Sequence, residues 1–179
     1  MESGLRFGLN LTTVMIESEG INSKPNMPIG IHFGLNFEIP FNKNFSIFSG
    51  FMLSSKGADY KIDTVDFSLT PAYIEIPVNT AFNFGFKAAR ISLFAGPYIA
   101  CTIGGYEIVS GNGFKYLTFG AGRNNDLKYF DFGFNFGVGV NIKSLVVLAQ
   151  YGLGLTDISP AKDMIMRNKV IGISIIFSK

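Results

Sequence analysis

One cysteine and one histidine are all that this 179-residue chain offers of two side chains prominent in metal and disulfide sites. Cys101 alone excludes an internal disulfide and a thiolate cage within one chain. His32 alone cannot build a multi-histidine site. Charge is scarce too: Asp, Glu, Lys and Arg reach 16% of residues, well below the usual ~25%. A formal net charge of +2 gives no case for nucleic acid, and no basic cluster interleaved with aromatics supplies one. Nowhere does an apolar run approach the ~20 residues of a membrane-spanning helix.

What is present is apolar and suited to strands. Hydrophobic residues make up 47% of the chain and mean hydropathy is +0.31. The 19 Phe, 7 Tyr and 21 Gly favour strands and turns over helices. A chain this apolar without a spanning helix is either an unusual soluble β-protein or a membrane β-barrel. The segment from Phe130 to Ile142 decides between them. Phe130, Phe132, Phe134, Phe136, Val138, Val140 and Ile142 alternate with Asp131, Gly133, Asn135, Gly137, Gly139 and Asn141. A period of two gives a strand with two unlike faces. One face is bulky enough to meet lipid, and the other is small and polar enough to fill a narrow barrel.

The same alternation recurs over residues 5–12, 29–39, 45–56, 72–84, 91–104, 145–155 and 168–177, giving eight candidate strands. Each is long enough for the ~9–11 residues of a tilted membrane strand. Connections alternate as well. Residues 42–44, 85–90 and 143–144 are tight, whereas 13–27, 57–70, 105–129 and 156–167 are long and polar. The expected fold is therefore all-β: a single domain over 1–179, an eight-stranded antiparallel up-and-down transmembrane β-barrel. Short periplasmic turns, long extracellular loops and two periplasmic termini follow from this pattern. Two hairpins are expected beyond the bilayer. Tyr60 to Phe67 extends the third and fourth strands, and Glu107 to Phe119 folds about Gly111-Asn112-Gly113. The second is read as projecting above the rim; entry into the wall would raise the count to ten. Pro71 and Pro77 require bulges or positions without a ladder donor.

A soluble barrel would turn its apolar residues inward and its charges out. Here the strand charges, chiefly Arg6, Glu38, Lys56, Glu75 and Asp131, share the face of the glycines and asparagines. Lipid outside is the better reading. Eight strands leave an interior only wide enough for side chains, which excludes an open diffusion pore. Arg6, His32, Asn36, Glu38, Tyr73, Glu75, Asp131 and Gln150 are the expected structural lumen network. Buried charge needs a partner, so Arg6 is expected to pair with Glu38 or Glu75.

The motifs Ser55-Lys56-Gly57-Ala58, Tyr73-Ile74-Glu75-Ile76-Pro77, Ala95-Gly96-Pro97-Tyr98, Phe130-Asp131-Phe132-Gly133 and Tyr151 to Ile158 occur in that order. Together they resemble the PorT-like outer-membrane β-barrel family, an OmpA/OmpX-like barrel, along nearly the whole chain. The resemblance implies a Gram-negative outer-membrane protein made with a signal peptide, with a link to protein secretion and no catalytic residue. Met1 to Gly4 carries no signal pattern, so the leader is expected to have been removed. Phe177 is followed by Ser178-Lys179, where such barrels commonly end on the aromatic residue.

Enzymatic chemistry finds little support. Glu38 and Glu75 in a filled lumen are out of substrate's reach, and His32 lacks co-ligands. Cys101 reads as a small, inert thiol. Gly111-Asn112-Gly113 has neither the helix nor the lysine of a phosphate loop, and Ser110 and Ser159 have no nucleophile context. The expectation is a non-enzymatic structural or protein-interaction component without a cofactor, in contact with outer-membrane lipids and with other outer-membrane proteins of a secretion or assembly complex. Tyr106, Phe114, Tyr116 and Phe119 form the candidate partner-binding loop, unless that loop folds back over the lumen. The alternative is a small-ligand or lipid-binding barrel whose cavity opens to the loops and is lined by Tyr73, Tyr98 or His32.

Overall fold

A computed structural model describes residues 2–17, 26–62, 65–86, 89–111 and 113–178. Among these there is no helix, and ten strands carry the fold. They are β1 (Glu2–Glu17), β2 (Ile29–Pro40), β3 (Phe45–Ser55), β4 (Ala58–Ile62), β5 (Val65–Phe86), β6 (Ala89–Val109), β7 (Gly113–Tyr116), β8 (Phe130–Ile142), β9 (Leu145–Gly154) and β10 (Ile165–Ser178). All their pairings are antiparallel. Eight of them close on themselves in the order β1-β2-β3-β5-β6-β8-β9-β10, because β5 pairs with β6 and β1 with β10. Closure leaves the ring without an edge, the condition for a sheet in hydrocarbon.

Each wall strand turns alternate residues to opposite sides. Along β8 the even-numbered Phe and Val side chains are exposed, while Asp131, Gly133 and Asn135 are buried. The large exposed hydrophobics run round the whole ring, from Leu5 and Phe7 on β1 to Ile175 and Phe177 on β10. The buried set includes Arg6, Asn10, His32, Asn36, Glu75, Asn79, Asp131, Asn135 and Asn168. Large apolar residues cover the outside, as the alternation requires, and the buried polar groups are all on the inner face.

The prolines sit where the ladder can spare them. Between β3 and β5 the register is the same on either side of Pro77, from Ser49↔Val78 to Met52↔Glu75, with the ladder broken between. Pro71 lies beside an irregularity at Ala72/Tyr73, where β6 carries one extra residue.

β5 and β6 are the longest strands and outrun the ring. Their upper halves pair with β4 on one side and β7 on the other, forming a four-stranded sheet, β4-β5-β6-β7, that stands above the rim. β7 pairs with β6 and does not enter the wall, so the strand count stays at eight. Both expected hairpins are therefore present. Asp63, Thr64 and Asn112 at their tips lie outside the described residues, as do residues 18–25 of the first long loop and 87–88 of one short turn. The first long loop is shorter than expected, because β1 continues to Glu17.

Candidate functional site

The lumen is layered, and the inward residues of β10 read the layers in order: Met166, Asn168, Ser174, Ile176. The first lies in an apolar plug at the long-loop end, with Val14, Ala58, Leu69, Leu117, Leu127 and Ile158. Phe119 and Met164 pack against it. The 105–129 loop does both of the things open to it: its first half projects as a hairpin, and its second half folds back and lays Leu117 and Leu127 across the mouth. Nearer the short turns, Ile176 joins Phe48, Ala81, Phe94 and Leu148 in a second apolar layer.

Polar groups occupy the space between, in two networks. The upper centres on Lys56, which the sequence reading placed on the inward face but left out of the lumen set. Its Nζ lies 2.7 Å from Glu75 Oε2 and 3.4 Å from Asp131 Oδ2, and 4.4 Å from the centroid of the Tyr98 ring. Tyr98 donates its hydroxyl to Asp131 at 3.1 Å, and Asn168 Nδ2 donates to the same carboxylate at 2.9 Å. The Tyr73 ring closes the other side, 5.0 Å from the ammonium. One cation thus meets two carboxylates and two aromatic faces away from bulk water, where each interaction is stronger than in solution.

The lower network belongs to Arg6. Its expected carboxylate partner is not the one found: Nε donates to Ser174 Oγ at 3.0 Å and an Nη to Gln150 Oε1 at 2.5 Å. Lys56 has taken Glu75, and Glu38 sits nearer the short-turn end, where Arg90 Nη2 reaches it at 2.8 Å. Strand spacing explains the miss, because Arg6 and Lys56 both point inward and the nearer cation claims the carboxylate. His32 lies between Asn10 Oδ1 and Ser174 Oγ, at 2.8 Å from each. It is satisfied by neutral partners, and Asn10 passes the chain on to Ser54. Asn36 is buried.

These side chains fill the interior. The space left between Arg6, His32, Lys56 and Glu75 holds about one water molecule. Among the described residues the lumen does not open toward the loops, because the apolar plug covers Tyr73, Tyr98 and His32. Glu38 and Glu75 belong to different ion pairs, and no group of three or more His, Cys, Asp or Glu could hold a metal ion among the described residues. Cys101 is half-buried and free.

Sequence reasoning missed Lys56, Tyr98 and Asn168 as members of the network. Parity could have found Tyr98, which lies between the outward Pro97 and Ile99, whereas Lys56 and Asn168 sit at the ends of the alternating runs, where their neighbours are polar or small. Of the candidate loop residues, Tyr106, Phe114 and Tyr116 form one exposed cluster on β6 and β7. Rings of Tyr106 and Phe114 stack at 5.5 Å, and those of Phe114 and Tyr116 meet edge-on at 4.9 Å. Phe119 is separate and turned to the plug.

Two carboxylates pin the loops that make the lid. Burial pushes the Asp126 carboxyl up, but the Lys115 ammonium and the Thr118 amide and hydroxyl outweigh it and hold it below its ordinary 3.8. Asp157 behaves alike: burial is outweighed by Lys128 Nζ at 2.8 Å and by the amides of Met166 and Ser159. A depressed folded-state value stabilises above the unfolded one and is lost as pH falls through the folded one. Both sites are partly solvated, so each contributes less than about 1 kcal/mol. Amide protection in 115–127 and 157–166 is expected to drop relative to the wall strands as pH goes from about 5 to about 2. Equal loss in wall and lid would remove these carboxylates from the account.

A closed ring of eight strands, apolar outside and filled with polar groups inside, defines a transmembrane β-barrel. The chain belongs to the family described as outer membrane protein beta-barrel domain, which matches residues 1–159, and its place is the outer membrane. Among solved structures it is similar to the outer membrane protein OprG from Pseudomonas aeruginosa, at 11% identity and TM-score 0.57, covering 99% of this chain and 93% of that one. It is also similar to Neisserial surface protein A (NspA), at 11% identity and TM-score 0.46 over 99% and 98% of the two chains. The Yersinia pestis attachment invasion locus protein Ail, in complex with the heparin analogue sucrose octasulfate, gives 13% identity and TM-score 0.45 over 98% of each. At these identities the likeness is one of fold. Curated protein sequences include no match to the chain.

Proposed function

We propose that this protein is a non-enzymatic structural and protein-interaction component of a larger outer-membrane assembly, serving secretion or membrane-protein assembly. The observation that carries this reading is the contrast between a sealed interior and a sheet that rises clear of the rim. Two apolar layers enclose the polar lumen, so the molecule offers no path for solute and no chamber for substrate. Its lumen residues, Arg6, His32, Asn36, Glu38, Tyr73, Glu75, Asp131 and Gln150 with Lys56, hold the barrel together. What it offers is surface. β4 and β7 are the outer strands of the protruding sheet; β4 is already bridged at Asp59 by Asn26, which leaves β7 as the edge to recruit a partner by backbone pairing. The loop bearing Tyr106, Phe114 and Tyr116 frames that edge.

The short turns and both termini face the periplasm and the protruding sheet faces outward, in keeping with the loop lengths of such barrels. The order of the Ser55–Ala58, Tyr73–Pro77 and Tyr151–Ile158 motifs supports placing the chain in the PorT-like branch, with its link to secretion. Purification from native membranes in mild detergent tests the proposal. Other outer-membrane proteins are expected to co-purify stoichiometrically, and to be lost when Phe114 and Tyr116 are replaced by prolines that break the β7 edge. Recovery only as a lone monomer sinks the assembly reading. Steady conductance of the purified protein across a planar bilayer would equally overturn the sealed lumen.

A further inference from the structure

In the protruding sheet, β6 and β7 reverse the arrangement that water imposes on an exposed hairpin. Tyr106 pairs with Tyr116 and Ile108 with Phe114, so all four share one face. They are 38%, 77%, 46% and 55% exposed. The charged residues of the same hairpin, Glu107 and Lys115, pair with each other on the opposite face. There Glu107 accepts a hydrogen bond from Tyr60 and Lys115 binds Asp126. An antiparallel hairpin standing in water normally turns its polar face out. Here the outward face is aromatic and aliphatic and the inward one carries charge.

The bulge beside Pro71 sets this orientation. Below it the outward residues of β6 are odd-numbered, including Ile99 and Ile103, which belong to the lipid-facing wall. Above it Leu69, a member of the plug, pairs with Glu107, so Glu107 faces inward and Tyr106 and Ile108 face out. Without the extra residue Gly105 and Glu107 would point outward and the aromatic residues would crowd the mouth. The apolar surface therefore runs unbroken from Leu93 through Ile99 and Ile103 to Tyr106 and Ile108. That run exceeds the ~9–11 residues that a tilted strand needs to cross hydrocarbon. A strand at about 45° climbs roughly 2.3 Å per residue, which lifts Tyr106 about 7 Å above Ile103. The headgroup layer on each side of a bilayer is about that thick.

We infer that the Tyr106–Tyr116 end of this face rests in the headgroup layer of the membrane on the loop side, with Ile108 and Phe114 about 12 Å above Ile103 at its outer limit, anchoring the protruding sheet to lipid. Continuity with the lipid-facing wall identifies the occupant. Amphipathic tyrosines suit the boundary between chain and headgroup. Contact is confined to this half of the sheet, since Asp59, Ser68 and Thr70 on β4 and β5 make its other outward half polar. The inference rests on the membrane-spanning reading and narrows the functional one: the β6–β7 face is taken by lipid, and protein partners are left the β7 edge and the polar half.

The chain has no tryptophan, so single introduced tryptophans report their own surroundings. Y116W, F130W on the lipid-facing wall and K162W on an exposed loop are compared in pure phosphatidylcholine vesicles, with bromine placed near the headgroup end or the far end of the acyl chain. Y116W is expected to emit to the blue of K162W and to be quenched by bromine near the headgroup more than by bromine at the chain end. F130W is expected to be quenched by lipid, and K162W to escape both. Red emission from Y116W without quenching, while F130W is quenched, overturns the anchor and leaves the barrel standing. Failure of F130W itself removes the membrane-spanning reading beneath it. A blue shift of Y116W seen only in native membranes, and never in pure lipid, assigns the face to a protein partner and refutes the lipid anchor.

Discussion

Replacing Lys56 with methionine is expected to cost about 3–5 kcal/mol of barrel stability, the largest loss of any single substitution in the lumen. The ammonium is the ion-pair partner found for both Glu75 and Asp131, which lie beneath the apolar plug. Removing it leaves two carboxylates in a space that water cannot flood, and their repulsion adds to the desolvation of each. Cation–aromatic contact with Tyr73 and Tyr98 is lost in the same step. Urea titration of protein folded into vesicles at neutral pH measures the effect as a shift in midpoint at unchanged slope. Adding Glu75→Gln and Asp131→Asn to the Lys56→Met variant is expected to return most of the loss, since a neutral network can be satisfied where a charged one cannot. A shift below about 1 kcal/mol would put the pair in the class of solvated surface ion pairs, and the sealed lumen could not then be maintained.

A comparably large effect is expected from valine at Gly8. On one side the Ile173 carbonyl of β10 crosses close to the position a Cβ would take, and on the other the His32 ring lies over it. Adding a branched side chain drives the neighbouring backbone away at the β1–β10 seam and displaces His32 from Asn10 and Ser174. The cost is put at about 3 kcal/mol, the upper part of the range for overpacking. Gly104, at the bulge, supplies the control. A Cβ there meets nothing within 4 Å, so Gly104→Val should leave stability within about 0.5 kcal/mol of the parent. Unfolding midpoints of the two variants decide the matter, and indistinguishable values would show that the wall accommodates what its packing forbids.

Much of the architecture was legible in the sequence because a two-residue period with unlike faces admits few solutions. Phe130 to Ile142 alone carried the lipid face, the lumen face and the strand. Loop lengths then placed the long connections together at the end of the barrel opposite the termini. Strand lengths were harder. β5 and β6 extend past the expected 72–84 and 91–104, because polar residues such as Asp66, Ser68 and Thr70 resemble a loop until a neighbouring strand pairs with them. The bulge at Ala72/Tyr73 was foreseen only as a requirement of Pro71. Its reversal of parity, which turns Tyr106 outward and Glu107 inward, depends on which strand takes the extra residue.

In the lumen, membership was readable and partnership was not. Alternation identifies an inward residue, but which cation meets which carboxylate depends on the stagger between strands far apart in the chain. Arg6 and Lys56 show this: both face inward, and only the registers of β3, β5 and β8 bring Lys56 to Glu75 and Asp131. The plug was equally hidden, since Leu117, Leu127 and Ile158 come from segments without periodicity. Their burial follows from the loops folding over a mouth narrow enough for a few side chains to cover.

The long β5–β6 hairpin and the β1–β10 seam lie at opposite extremes of chain separation. Its two strands, of 22 and 21 residues, are joined by a turn of only a few residues, so bringing their first pairs together costs little loop-closure entropy. The seam between β1 and β10 joins opposite ends of the polypeptide and must await every intervening pair. On loop-closure entropy alone, hairpins with short turns pair at the least cost and this seam at the greatest, so Leu5 to Leu11 and Ile171 to Phe177 depend on all the intervening strands for their partners across it.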